Sequence, residues 1–346
     1  MRTRGLHRFA VITASATFIL IFVGGLVTST GSALAVPDWP LSFGKFFPRM
    51  EGGVLYEHGH RMAAGTVTIL TLVLMIWAWR SERRRWVKYA TTAAFGLIIV
   101  QAVLGGLTVL LLLPLPIAVA HAATAQAFFC LTVSIALFTN PRWDSERESA
   151  AGSRSAGLRA GDLSPRGDRR RPGLPALAAL TTILIYAQIL VGAVMRHMGA
   201  GLAIPDFPLS FGRIIPPLDS GFVAINFAHR CGAIVVTAFV LWTVARVLGA
   251  YRDESWLRRP ALGMLVLLAI QIGLGAVTIW SERAVIPTTA HVAIGAAVLA
   301  TSLTLTLRAF RLLHGAPVSR PVVSQIGAAD RVLDLHQGVL DQRKLA

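Results

Sequence analysis

Eight long apolar runs constrain this chain more than any other feature. They lie near 9–28, 60–79, 89–112, 117–139, 174–195, 222–245, 261–280 and 288–307. Crossing a bilayer takes roughly 20 helical residues at about 1.5 Å each. In hydrocarbon a single segment satisfies its own backbone only as a helix. Mean hydropathy is +0.62 and 14% of residues are charged, which excludes an ordinary soluble domain. The expected fold is an all-α polytopic membrane protein. The small residues that follow the first run do not form a convincing cleavage site, so it reads as a retained helix and not a signal peptide.

The net charge of +16 orients the chain. Of 33 Lys and Arg, 26 fall in the termini and the loops at about 80–88, 140–173 and 246–260. The other seven are Lys45, Arg49, Arg61, Arg196, Arg213, Arg230 and Arg283. Positive residues gather on the cytoplasmic side. Both termini are therefore expected inside a cell (inner) membrane, with loops 29–59, 113–116, 196–221 and 281–287 outside. The basic excess suits contact with anionic membrane lipid. No nucleic-acid partner is expected.

The chain repeats itself. VPDWPLSFGKFFP at 36–48 matches IPDFPLSFGRIIP at 204–216, an offset of 168. His60 in EHGHR matches His229 in NFAHR, and His121 in AVAHAA matches His291 in TTAHVA. Gln101 and Gln271 each precede the second histidine of their half by 20 residues. With four helices per half, the repeats run in the same sense about an axis along the membrane normal. The eight transmembrane helices are thus expected as two pseudo-symmetric four-helix bundles. The expected division is a repeat at 1–139, a disordered cytoplasmic linker at 140–172, a repeat at 173–310 and a polar tail at 311–346. A short amphipathic helix near 328–340 is possible within that tail.

All four repeated histidines fall at the outer ends of even-numbered spans, at one depth. A single interfacial histidine needs no explanation beyond its amphipathic ring. Four at matched positions point to two bis-imidazole sites, and imidazole is a good haem ligand. The expected iron ligands are His60 with His121 and His229 with His291. A zinc or copper site fits less well, because the nearby acid is Glu57 alone and the thiols are scattered. Cys130 and Cys231 lie at different depths and are expected to be free.

Glu57 sits three residues before His60, on nearly the same helical face. A carboxylate at a helix N-terminus is favoured by the dipole. An acid at a membrane edge is also often functional, and Asn226 replaces it in the second half. Glu57 is therefore the candidate catalytic residue. Arg61 and Arg230 follow the ligands, where they can meet haem propionates or simply snorkel. Lys45, Arg49 and Arg213 are alternative propionate partners. The Pro- and Gly-containing loops read as lids, with Asp38 and Asp206 as internal anchors.

These motifs together resemble the haem A synthase family: eight helices in two repeats, ExxHR at Glu57–Arg61, NxxHR at Asn226–Arg230, the PDWP loop, and the later His121 and His291. The resemblance spans the helical part of the chain. It implies oxidation of a ring methyl of haem O to a formyl group, by two hydroxylations and loss of water. It implies that His60 and His121 hold the substrate haem O, that His229 and His291 hold a haem b cofactor, and that Glu57 assists. The product would serve terminal oxidases. A haem O synthase (farnesyltransferase) would be a transient partner, and an electron acceptor is also required. Many members carry two cysteines where this chain has Val36 and Ser42, so its loop must be held by packing and hydrogen bonds. The alternative is a di-haem b electron-transfer or haem-handling membrane protein without porphyrin chemistry. A transporter fits poorly, because acidic groups are missing from the expected midplane.

Overall fold

A computed structural model describes residues 2–143 and 173–313. Within them run eight long helices: α1 (Arg2–Ser29), α2 (Gly53–Ser81), α3 (Arg85–Leu110), α4 (Leu115–Phe138), α5 (Leu174–His197), α6 (Gly221–Ala250), α7 (Ser255–Trp280) and α8 (Val285–Leu313). A short 3₁₀ turn, Ala200–Leu202, follows α5. Each helix is long and apolar enough to cross a membrane. The chain is an all-α multi-pass membrane protein. The expected linker from 144 onward and the tail from 314 onward, with its candidate helix near 328–340, lie outside the described residues.

Several helices begin earlier than the apolar runs do. Helix α1 starts at Arg2, α2 at Gly53 and α7 at Ser255. Hydropathy marks only the hydrocarbon stretch, whereas backbone hydrogen bonding carries the helix on through polar turns at the membrane edge. Local chemistry sets several starts. Prolines occupy the first turns of α4 and α5, where a missing N–H costs nothing. Ser220 caps α6 by accepting from the Phe222 amide. Pro260 lies inside α7 and cannot donate to the Trp256 carbonyl four residues earlier. Arg308 of α8 donates to that carbonyl at 3.0 Å instead and stacks over the Trp256 ring.

Packing follows the rules of helices in lipid, where association depends on close approach and not on water exclusion. In the first half α1 packs on α2 and α4, and α3 packs on α2 and α4. Its core is Leu6, Ala10, Val67, Leu74, Ala78, Ala94, Ile98, Phe128 and Ile135. Large side chains such as Ile12, Ile69, Ile183 and Ile234 point outward. Buried hydroxyls return to their own helix: Thr17 and Thr71 donate to the carbonyl four residues back. In the second half Thr181 bonds Thr243, and Thr182 bonds Ser302 and Thr306. Helices α4 and α5 join the halves, and the Tyr186 hydroxyl donates to the Ala123 carbonyl at 2.9 Å.

Candidate paired-histidine sites

The four histidines lie about two turns into their helices. His60 is the eighth residue of α2, His121 the seventh of α4, His229 the ninth of α6 and His291 the seventh of α8. Each ring turns inward and packs its Cε1 on a glycine of a neighbouring helix. A methyl group built on Gly24 of α1 would stand 3.0 Å from His60 Cε1. On Gly105 of α3 it would stand 3.1 Å from His121, on Gly192 of α5 2.9 Å from His229, and on Gly275 of α7 3.2 Å from His291. These glycines repeat at offsets of 168 and 170, in step with the histidines. None is needed for an unusual φ; all are needed for room.

Glutamines hold three of the four rings. Gln101 donates to His121 Nε2 at 3.3 Å and to the His121 carbonyl at 3.0 Å. Gln271 donates to His291 Nε2 at 3.3 Å, while His291 Nδ1 donates to the Gln271 carbonyl at 3.2 Å. That last bond places the proton on Nδ1 and leaves Nε2 as the acceptor that the Gln271 amide meets. Gln188 of α5 meets His229 Nδ1 at 3.0 Å and donates to its carbonyl at 2.7 Å. Gly232 gives Gln188 its space, since any side chain there would collide with Gln188 Oε1. In the first half the place of Gln188 is taken by Leu20, which is buried.

His60 lies within electrostatic reach of His121, and His229 of His291. The Nδ1 atoms of His60 and His121 are buried without a hydrogen-bond partner, a costly arrangement unless something else takes up the ring. Among the described residues no three His, Cys, Asp or Glu side chains gather around one point. A pair of imidazoles with no third protein ligand among the described residues would suit a haem, which brings its own equatorial nitrogens. A protein cage for a bare ion needs three or four side chains. Cys130 and Cys231 are free thiols.

Glu57 and Arg61 tie α2 to the α1–α2 loop. Glu57 Oε1 accepts from Arg61 at 2.7 Å and Oε2 accepts from the Val36 amide at 2.9 Å. Arg61 also donates to the carbonyls of Val36, Asp38 and Leu41. In the second half Asn226 makes the corresponding tie with reversed polarity. Its amide donates to the Ala200 and Gly201 carbonyls and its oxygen accepts from Arg230. Arg230 donates to the Ile204 and Leu209 carbonyls. Both arginines therefore divide their donors between the helix residue one turn earlier and the loop. Lys45, Arg49 and Arg213 stand exposed, and Arg49 pairs loosely with Glu51.

The two loops are built alike. Asp38 accepts from the Phe43 and Gly44 amides, and Asp206 from those of Phe211 and Gly212. These bonds, chiefly that from the glycine, hold both carboxyls below the ordinary range. They also hold Phe43 and Phe211 at φ of 52° and 55°, a left-handed conformation that costs a bulky residue strain. Val36 and Ser42 are buried, and Ser42 Oγ bonds His58 Nδ1 at 2.8 Å. Trp39 lies flat on Gly106 of α3, where a methyl would come within 2.5 Å of its Cδ2. At the corresponding positions the second half has Ala276 and the smaller Phe207, whose ring meets Trp280 edge-on.

The glycine seats and Gln188 were not among the residues expected from sequence. The glycines share the histidines' offsets, so the same repeat contains them. Gln188 and Arg196 have no repeat counterpart, because Leu20 and Thr28 stand in their places. Arg196 crosses from α5 to α1 and donates to the Gly25 carbonyl at 3.0 Å and to Ser29 Oγ at 2.8 Å.

A family model described as COX15-CtaA, cytochrome oxidase assembly protein, matches residues 55–303. The chain is 31% identical over 282 residues to a Heme A synthase of Symbiobacterium thermophilum, covering 79% of this chain and 85% of that protein. It is 26% identical over 292 residues to one of Bacillus pumilus, covering 83% and 89%. It is 28% identical over 279 residues to one of Alkalihalophilus pseudofirmus, covering 80% and 88%. The family match takes in Glu57 and all four histidines, and on that match the chain belongs to the COX15-CtaA family of cytochrome oxidase assembly proteins.

Proposed function

We propose that this chain is a haem A synthase, which oxidises the ring methyl of haem O to a formyl group. The observation that carries the reading is the inequality of two otherwise matched sites. Among the described residues His60 has no glutamine partner, and it shares its helix face with the Glu57–Arg61 pair; His229 is held by Gln188 and shares its face with neutral Asn226. A site that takes in a substrate and releases a product needs a looser ligand than a site that keeps a cofactor. In this reading His60 and His121 hold haem O, and His229 and His291 hold haem b. When bound, haem b supplies one-electron redox chemistry.

The protein's own part is orientation and charge. The glycine seats fix how far each ring projects. Both oxygens of Glu57 are engaged, so it acts as a fixed negative charge at the edge of the substrate site. There it stabilises positive charge developing at the methyl carbon. The loop carrying Asp38 and Trp39 limits water access from the outer face. In this reading both termini lie in the cytoplasm and the sites towards the outside of the cell membrane, because positive residues gather on the cytoplasmic side. Haem O arrives by transient contact with a membrane farnesyltransferase, and an acceptor takes the electrons.

Expression with and without a haem O supply, followed by extraction of bound haems, tests this. The wild type yields haem A when haem O is present. Glu57→Gln and Glu57→Ala lose that yield yet keep a bis-histidine spectrum. Undiminished haem A from Glu57→Ala rejects the role of Glu57. A wild type that binds only haem b, whatever is supplied, identifies an electron carrier instead.

A further inference from the structure

One face of α5 carries Gln188, Gly192 and Arg196 at successive intervals of four residues. The first two set the His229 ring. The third therefore lies one turn, about 6 Å, further towards the loop end of the helix on the same face. Arg196 is largely enclosed. Two of its donor contacts go to neutral α1 groups, the Gly25 carbonyl and Ser29 Oγ, and its Nε is buried without a partner. No acidic side chain pairs with it among the described residues. Arg283, in the turn before α8, lays its side chain across Gly201 and lies close enough to repel Arg196 electrostatically. Arg196 thus lies within electrostatic reach of both Arg283 and His291, with its Nε buried and unpartnered and no acidic side chain paired to it among the described residues. Such an arrangement is unfavourable unless an anion completes it.

We propose that Arg196 and Arg283 form a carboxylate clamp for the porphyrin ligated by His229 and His291, and that Gln188 and Arg196 together make this the retained site. The inference rests on the haem reading of that histidine pair. A haem carries two propionates, which match two cations in number and sign, and an arginine fork suits a carboxylate. The corresponding face of α1 reads Leu20, Gly24, Thr28. It keeps the glycine seat and lacks both the glutamine and the cation. The first site is thereby built to let its porphyrin go.

The test isolates the second site in a His60→Ala, His121→Ala background, purified from a haem-deficient host. Haem b and haem b dimethyl ester are then titrated by absorption. The unmodified clamp is expected to favour the free acid by about tenfold or more, the usual worth of a charge-assisted bond. Arg196→Gln and Arg283→Gln erase that preference, and Arg196→Lys keeps part of it. Arg196→Gln also removes the tie to α1, so Arg283→Gln, which leaves that tie in place, carries the decision if Arg196→Gln misfolds. Equal binding of acid and ester with a normal bis-histidine spectrum overturns the clamp. So does a preference that survives Arg283→Gln, or a change confined to co-purifying anionic lipid. Absence of any haem spectrum in the background protein overturns the haem reading itself.

Discussion

Arg61 and Glu57 form a 2.7 Å ion pair one turn apart on α2, with side chains only 15% and 5% exposed. In the other half Arg230 meets neutral Asn226. Removing the cation therefore has unequal consequences. Arg61→Ala leaves a buried carboxylate without a counter-charge, which costs about 3–5 kcal/mol. Arg230→Ala removes hydrogen bonds to neutral groups, at about 1–3 kcal/mol. Thermal unfolding in detergent should show the larger drop for Arg61→Ala, and Glu57→Gln in the Arg61→Ala background should recover part of it.

The glycine seats predict a graded series. Alanine at Gly24, Gly105, Gly192 or Gly275 puts a methyl 2.9–3.2 Å from an imidazole carbon, so the ring must shift. Each single variant is expected to lose haem from its own site and spare the other. Gly192→Ala, the closest approach, should lose the most. Haem extraction and the optical spectrum of each purified variant measure this.

Trp39 and Gly106 should behave as one unit. Gly106→Ala drives a methyl into the indole and should loosen the loop, whereas Trp39→Phe alone leaves a gap. The double substitution reproduces the Phe207–Ala276 arrangement of the other half. A double-mutant cycle on thermal stability is expected to show a favourable coupling of about 0.5–3 kcal/mol, and purely additive effects would refute the pairing.

The loops should loosen in acid and not in base. Amide donors, led by those of Gly44 and Gly212, hold the folded-state pKa of Asp38 and Asp206 below the ordinary 3.8. Their anchoring is therefore complete above that value and is lost as pH falls through the lowered one. Limited proteolysis of the α1–α2 loop in the wild type should be unchanged from neutral pH down to about pH 4 and then accelerate. Asp38→Ala should be cleaved faster throughout, with that acid acceleration much reduced.

The eight spans were readable because lipid demands a continuous apolar stretch, and the repeat was readable because four histidines and a thirteen-residue loop recur in step. Helix starts were read late: Gly53 to Gly59 contain Glu57, His58 and Gly59, which hydropathy discounts although their backbone bonds continue the helix. Arg61 was legible as special, but its partners were not. Whether a guanidinium faces a carbonyl of its own loop or an external anion depends on how the loop folds back, and sequence spacing carries no record of that. Gln188 and Arg196 escaped notice for the opposite reason. They matter because the other half lacks them, and a search for recurrence passes over what occurs once.

The hydroxyl of Tyr186 rests on the carbonyl of Ala123, two residues beyond His121, and Tyr186 itself lies two residues before Gln188, which steadies His229. A shift of α4 near His121 therefore bears on α5 two residues before Gln188, through this bond as well as through the packing of the two helices.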